Sequence, residues 1–274
     1  MKKTLFLAIA CILANMALHA QKTPALKKVI ELKMPKTADD DMPGTRGASV
    51  AWHPVQKKYY AVFAGNIEYP LAIFDVKGKR LSTDEQKAML DTRGLWYNPV
   101  TKLICGNGYN DYGWFTYKLD PKGMPTDYTE AVEGMNQPDA QSVGVYNPAV
   151  KQVLFHYLGK VYVYNSDAEL QDSLLIHWGL KKTDDAEEDY EDVSMTPEDY
   201  NYTSLIYTGI KGQELGFLNT TGKQVELYDI KTGFLTRTIS FPEQATAEAS
   251  FNFAFANGIY WLFDMESRKW VGYK

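Results

Sequence analysis

One phrase occurs three times in the chain: Trp52-His53-Pro54-Val55-Gln56-Lys57, Tyr97-Asn98-Pro99-Val100-Thr101-Lys102 and Tyr146-Asn147-Pro148-Ala149-Val150-Lys151. Each copy follows a short apolar run and precedes another, at Tyr59 to Ala64, Leu103 to Cys105 and Val153 to Tyr157. Proline presets φ for a turn and cannot donate within a sheet ladder, so the phrase reads as strand, tight turn, strand. The prolines stand 45 and 49 residues apart, a period that marks repeat architectures.

Each period has room for four short strands. Blade one reads Ala48 to Trp52, Tyr59 to Ala64, Leu71 to Val76 and Lys79 to Leu81, and blade two ends in a weak outer strand after Gly123. Blade three opens with Ser142 to Tyr146 and turns at Leu158-Gly159; blade four opens with Thr203 to Tyr207 and carries Gly209 where the others carry proline. The last segment offers three strands only, from Ser250 to Tyr273, whereas the stretch Leu26 to Met34 has no partner of its own. Joining the two completes a fifth blade and leaves no open seam. The expected fold is all-β, a propeller of five four-stranded blades closed by the N-terminal strand; six blades is the alternative if 183–200 hides a strand pair. That stretch carries nine acids between Asp184 and Asp199, too few apolar groups to be buried, and reads as an acidic loop insertion.

Residues 1–20 are a separate object. Lys2 and Lys3 precede an apolar stretch from Leu5 to Leu13, and Ala17-Leu18-His19-Ala20 follows before Gln21, the build of a secretory signal peptide. The competing reading makes Cys11 a lipoprotein acceptor. The expectation is therefore an exported protein, periplasmic or extracellular, with one propeller domain over 21–274. No later stretch reaches the ~20 apolar residues of a spanning helix, so the chain is not expected to span a membrane by a helix. Removal of 1–20 leaves 27 basic against 34 acidic residues, which argues against nucleic acid as a partner. Cys105 is then the single cysteine and reads as a buried thiol.

Chain direction decides which end of a propeller each loop occupies. Loops between first and second strands and between third and fourth share one end, and they carry Lys57, Lys58, Lys77, Lys79, Lys102, Lys122, Lys151, Lys211 and Lys231, with Asp120, Asp167 and Glu169 as the main exceptions. Blade-to-blade links and second-to-third loops share the other, with Asp39, Asp40, Asp41, Asp84, Glu85, Asp91, Asp139, Glu243, Glu248 and the insertion. Loops crowded round one mouth act together electrostatically, so the acidic mouth is the expected place of a site.

Candidate chemistry at that mouth has several parts. Thr45-Arg46-Gly47 recurs as Thr92-Arg93-Gly94, each before an inner strand; the arginines either clamp a carboxylate or sulfate or pair with acids such as Asp91 and Asp41. The loop Gly106-Asn107-Gly108-Tyr109-Asn110-Asp111-Tyr112-Gly113 offers amides and rings to sugar hydroxyls, or Asn and Asp oxygens to Ca²⁺, or is a long hairpin turn. Asn107, Tyr109, Asp111, Gln141 and Asn252 complete the ligand-binding set, with a small molecule, a glycan or a protein as partner and no required cofactor. The enzymatic alternative is a carbohydrate-active site using Asp91, Asp139 and Glu248, three acids from blade links. Gly-x-Ser-x-Gly, His-Glu-x-x-His and Cys-x-x-Cys are missing, and His53, His156 and His177 are too scattered for a metal. The six tryptophans read as packing between blades.

The strand-Asn-Pro-strand phrase and the turns Asp75-Val76-Lys77-Gly78 and Asp229-Ile230-Lys231-Thr232-Gly233 resemble those of secreted propeller-repeat proteins of the broad WD-repeat and NHL-like type, over nearly all of the mature chain. Gly-His and Trp-Asp signatures are lacking, so no residue role is carried over. Such folds host both binding proteins and enzymes.

Overall fold

The structure is a computed structural model and describes residues 25–37, 45–182 and 195–274. The expected signal peptide, Cys11, Asp39 to Asp41 and most of the acidic insertion lie outside the described residues.

Among the described residues nineteen strands form five antiparallel sheets. β1 (Lys28–Lys33) comes first and waits for the end of the chain. Blade one holds β2 (Arg46–His53), β3 (Lys58–Ala64) and β4 (Leu71–Asp75); blade two holds β5 (Thr92–Asn98), β6 (Leu103–Gly108), β7 (Trp114–Leu119) and β8 (Pro125–Val132). Blade three holds β9 (Val145–Asn147), β10 (Gln152–Tyr157), β11 (Lys160–Tyr164) and β12 (Leu170–Leu175). Blade four holds β13 (Ile206–Tyr207), β14 (Leu215–Asn219), β15 (Gln224–Tyr228) and β16 (Leu235–Ser240). Blade five holds β17 (Phe253–Ala256), β18 (Ile259–Asp264) and β19 (Lys269–Tyr273), and β1 pairs with β19 as its outer strand. The ring is closed as the sequence requires, with five blades.

Closure shows in the cores. Each of the five hydrophobic clusters fills one seam between neighbouring blades: Tyr59 and Phe63 meet Trp261, Phe263 and Leu32 across the five–one seam, and Tyr60 and Val62 meet Leu95, Phe115 and Tyr117 across the one–two seam. Trp114 meets Phe155 and Tyr164, Leu154 meets Phe217 and Tyr228, and Leu218 meets Phe253 and Leu262 across the other three. A middle strand such as β3 buries both faces, its odd residues toward one neighbour and its even ones toward the other. That is why it reads Lys-Tyr-Tyr-Ala-Val-Phe-Ala rather than as an alternation.

Three details differ from the sequence reading. The outer strand of blade one is reduced to two isolated bridges, Phe74 to Arg80 and Pro70 to Lys87, because Gly78 turns beside the first with positive φ and Leu81 bonds straight back to Ile73. The outer strand of blade two, expected to be weak, is eight residues long; its exposed face is polar, which hid it. The inner strands of blades three and four start later, at Val145 and Ile206. Side chains have taken the preceding amides: Asn107 Oδ1 accepts from Gly144 N at 3.0 Å, and Asn201 Oδ1 accepts from the amides of Thr203 at 3.2 Å and Ser204 at 2.9 Å.

Candidate functional site

The polar residues nominated at the link-bearing end are drawn together there. Asp91 and Arg93, 10% and 4% exposed at their side chains, form a buried ion pair. Asp91 Oδ1 also accepts from Gly65 N at 2.8 Å, and Arg93 donates from Nε to Gln141 Oε1 at 3.0 Å. The guanidinium lies 4.6 Å from the Tyr109 ring centroid and 5.5 Å from that of Phe251, close enough for cation–π attraction. Arg93 therefore touches the blade-three link, the blade-two loop and the blade-five link at once. Burying this charge is tolerable because its donors are matched; without partners it would cost several kcal/mol, roughly 3–5.

The other nominated polar groups stitch seams. Asn107 Nδ2 donates to Gln137 Oε1 at 2.7 Å and to Ser142 O at 3.0 Å, while Asn252 Oδ1 accepts from Gly47 N at 2.7 Å. Asn201, which the sequence reading missed, donates to the carbonyls of Glu248 and Phe251, both at 2.8 Å. Its signal in the sequence is faint, a lone Asn in a loop. Arg46 is exposed at the start of β2 and Arg93 is buried, so the shared phrase Thr-Arg-Gly has no shared arginine role. Its glycine carries the repeat: a Cβ at Gly94 would lie 2.5 Å from both Asn107 Oδ1 and Gly144 O, and one at Gly47 2.5 Å from Trp270.

The carboxylates nominated for catalysis do different things. Asp91 is committed to Arg93; Asp139 Oδ1 accepts from Gln141 N at 2.8 Å; Glu248 lends its carbonyl to Asn201. Asp111 sits in the short 3₁₀ turn Asn110–Tyr112, where it accepts from Asn110 Nδ2 at 3.1 Å. Among the described residues no three His, Cys, Asp or Glu side chains are grouped to hold a metal ion.

Histidine roles are structural. His53 Nδ1 accepts from Gln56 N at 3.2 Å while Nε2 meets Lys102 O at 2.9 Å, fixing the neutral tautomer. His156 is enclosed by Trp178 and Phe217 and touches Thr196 Oγ1 at 3.1 Å; desolvation lowers its pKa to about 3. His177 stacks on Phe234 at 4.1 Å. Cys105 is buried, which pushes its thiol up.

A cavity on the ring's axis opens at the opposite end, among the lysine-bearing turns. Its volume is about 350 Å³, and it is lined by inner-strand residues of all five blades, with Trp52, Trp96, Tyr97, Tyr146, Tyr207 and Phe255 as its rings. Its rim is the repeated turn itself: Pro54, Pro99, Pro148, Gly209 and Asn257. Among the described residues no Asp, Glu, Lys, Arg, His or Cys lines it. Burial raises the phenols of Tyr146 and Tyr207, so these stay neutral and the wall carries no charge. Sequence reading placed the tryptophans in packing, and four are so used; Trp52 and Trp96 pack on Tyr59 and Trp114 and also line the cavity. The signal was available: an aromatic stands two residues before the turn's Pro or Gly at Trp52, Tyr97, Tyr146 and Tyr207.

A second cavity, about 420 Å³, lies at the link-bearing end between blades three and four, lined by Asp139, Gln141, Tyr157, Glu198, Tyr200 and Tyr202 among others.

No protein-family model matches the chain, and no curated protein matches it. Solved structures do. Glutaminyl cyclase from Myxococcus xanthus superposes with a TM-score of 0.56 at 10% identity, over 91% of this chain and 96% of that one. The Cps50 (Swd1) β-propeller domain from Myceliophteria thermophila gives 0.45 at 9% identity over 90% and 99%, and a chain of a nidogen/laminin complex gives 0.44 at 11% over 80% and 72%. At such identities the likeness is one of fold.

Proposed function

We propose that the chain is an exported, non-enzymatic binding protein that takes a neutral, ring-bearing ligand, a carbohydrate in the first instance, into the axial cavity. The observation that carries this is the wall: an aromatic ring from each of the five blades, with phenol and amide groups between them and, among the described residues, no carboxylate, imidazole or amine. Such a lining binds by ring contact and hydroxyl hydrogen bonds, the usual composition of a small-molecule site. Export rests on the signal-like design of residues 1–20. The test is tryptophan emission titrated with a panel of neutral mono- and oligosaccharides, since Trp52 and Trp96 line the wall. Saturable quenching is expected, weakened about tenfold by Tyr146→Ala, the worth of one ring contact. Equal affinity in Tyr146→Ala and Trp96→Ala would remove the axial site.

A second reading has its own observation. Asp139 and Glu198 line one cavity, which suits a carbohydrate-active enzyme with paired carboxylates; Asp91 and Glu248 do not line it. Turnover of any glycan that persists in both Asp139→Asn and Glu198→Gln rules this reading out.

A further inference from the structure

The turns that rim the axial cavity share a second property. Val55, Val100, Val150 and Ile210 stand on the first-to-second-strand turns of blades one to four, and their side chains are left in solvent at 66, 63, 57 and 47% exposure. Val76, on the neighbouring third-to-fourth-strand turn of blade one, is 47% exposed. Single exposed aliphatics need no explanation. Four on the same turn of successive blades, one residue past the turn's Pro or Gly in blades one, two and four and two residues past it in blade three, form a set of apolar tips on one end of the ring.

Beside each tip is a lysine. Lys57, Lys102, Lys151 and Lys211 follow the four tips within two residues and are exposed. Lys77, Lys122 and Lys231 extend the same end from the third-to-fourth-strand turns. The two loop sets do share an end, for Tyr60 Oη donates to Gly123 O at 2.6 Å and Lys58 Nζ donates to Lys122 O. Among the described residues no acid lies within ion-pair distance of these seven lysines. Three acids of this end, each half-buried, are engaged as turn caps. Asp75 Oδ1 accepts from the amides of Lys77 and Lys79, Asp120 Oδ1 from Met124 N, and Asp229 Oδ1 from Lys231 N and Thr232 N. Asp167 and Glu169, both on the third-to-fourth-strand turn of blade three, are the exposed exceptions. Backbone strain points the same way: Lys57, Lys102 and Lys151 hold φ of 53, 60 and 57°, where Gly or Asn would sit at less cost.

We infer that this face docks the protein on an anionic lipid surface, with the mouth of the axial cavity turned toward the lipid. The charge complementarity is that of free lysines for phosphate headgroups. The tips decide between occupants: a soluble acidic protein would match the lysines and leave the aliphatic ring unpartnered, whereas a bilayer offers headgroups to one and the acyl boundary to the other. The inference is independent of what occupies the cavity.

The experiment is sedimentation of the purified protein with phosphatidylcholine vesicles and with vesicles of equimolar phosphatidylcholine and phosphatidylglycerol, at low and high salt. Pelleting with the anionic vesicles alone, reversed by salt, is expected. The triple variant Lys57→Glu, Lys102→Glu, Lys151→Glu should lower partition by about a hundredfold, each lysine counting for about fivefold. The triple variant Val55→Ser, Val100→Ser, Val150→Ser should lower it by about tenfold with a nearly unchanged melting temperature, because these side chains are mostly in solvent. Failure to pellet with anionic vesicles overturns the proposal, as does partition that neither triple variant changes. Retention on soluble polyglutamate without vesicle binding also overturns it and assigns the face to an acidic protein.

Discussion

At the scale of single residues, the chain spends its buried polar groups on holding the ring. Asp91 and Arg93 show what this costs: the pair is stable only while both members and Gln141 are present. Asp91→Asn is expected to destabilise the fold by about 3 kcal/mol in urea titration, because Arg93 is left buried with its charge uncompensated. Replacing both residues by apolar ones, Asp91→Leu with Arg93→Met, should recover much of that loss, and saccharide quenching should be unaffected throughout. His156 adds a pH dependence. Its folded pKa is lowered to about 3 from 6.5, so the unfolded chain binds a proton the folded one refuses. The contribution is fully present above pH 6.5 and is lost as pH falls toward 3, by up to about 1.4 kcal/mol per pH unit. Urea unfolding at pH 7 and pH 5 measures this; a His156→Gln variant should show a shallower slope. An equal slope in the variant would assign the acid sensitivity to other groups.

At the scale of the element, the repeated phrase is a turn with a side-chain cap. Asn98 Oδ1 accepts from Val100 N at 2.9 Å, Asn147 Oδ1 from Ala149 N at 3.1 Å, and in blade four Thr208 Oγ1 accepts from Ile210 N at 3.0 Å. His53 makes the equivalent bond through Nδ1 to Gln56 N. Four different residues thus do one job, satisfying a turn amide that the ladder leaves free. Asn98→Ala should therefore cost about 1 kcal/mol, one modest hydrogen bond, and Asn98→Asp much less. Equal losses in the two variants, by thermal melting, would show that the side-chain oxygen is not what matters.

At the scale of the whole molecule, the ring is held by one strand exchanged between the two ends of the chain. β1 supplies Leu32, fully buried in the five–one seam, and its residues Lys28 to Lys33 pair with β19. Leu32→Ala is expected to destabilise the protein by about 2–5 kcal/mol through the cavity it leaves. Limited proteolysis should then cut first near β1 and in blade one, whose outer edge is held by two isolated bridges, Phe74 to Arg80 and Pro70 to Lys87. Cutting confined to other blades would show that the seam does not govern opening. The same closure makes the two ends of the ring chemically unlike: polar stitching at one, a neutral aromatic cavity among lysine-bearing turns at the other.

What the amino-acid order determined alone is the architecture. A strand–turn–strand phrase at a near-constant period, with one unpartnered strand at the start and one missing at the end, admits a closed five-bladed ring and little else, because burial on both faces of every middle strand is a local pattern. The order of residues also assigned each loop to its end, since strand direction is a matter of counting. It did not reveal which polar groups are spent on the fold. Asp91, Arg93, Asn107 and Asn252 look in the sequence like ligand groups, and only the packing of one blade against the next shows them bonded to their neighbours. The aromatic before each turn was legible in the order of residues, but not the cavity: Trp52 and Tyr207 are 155 residues apart, and their meeting at one axis is a property of the ring.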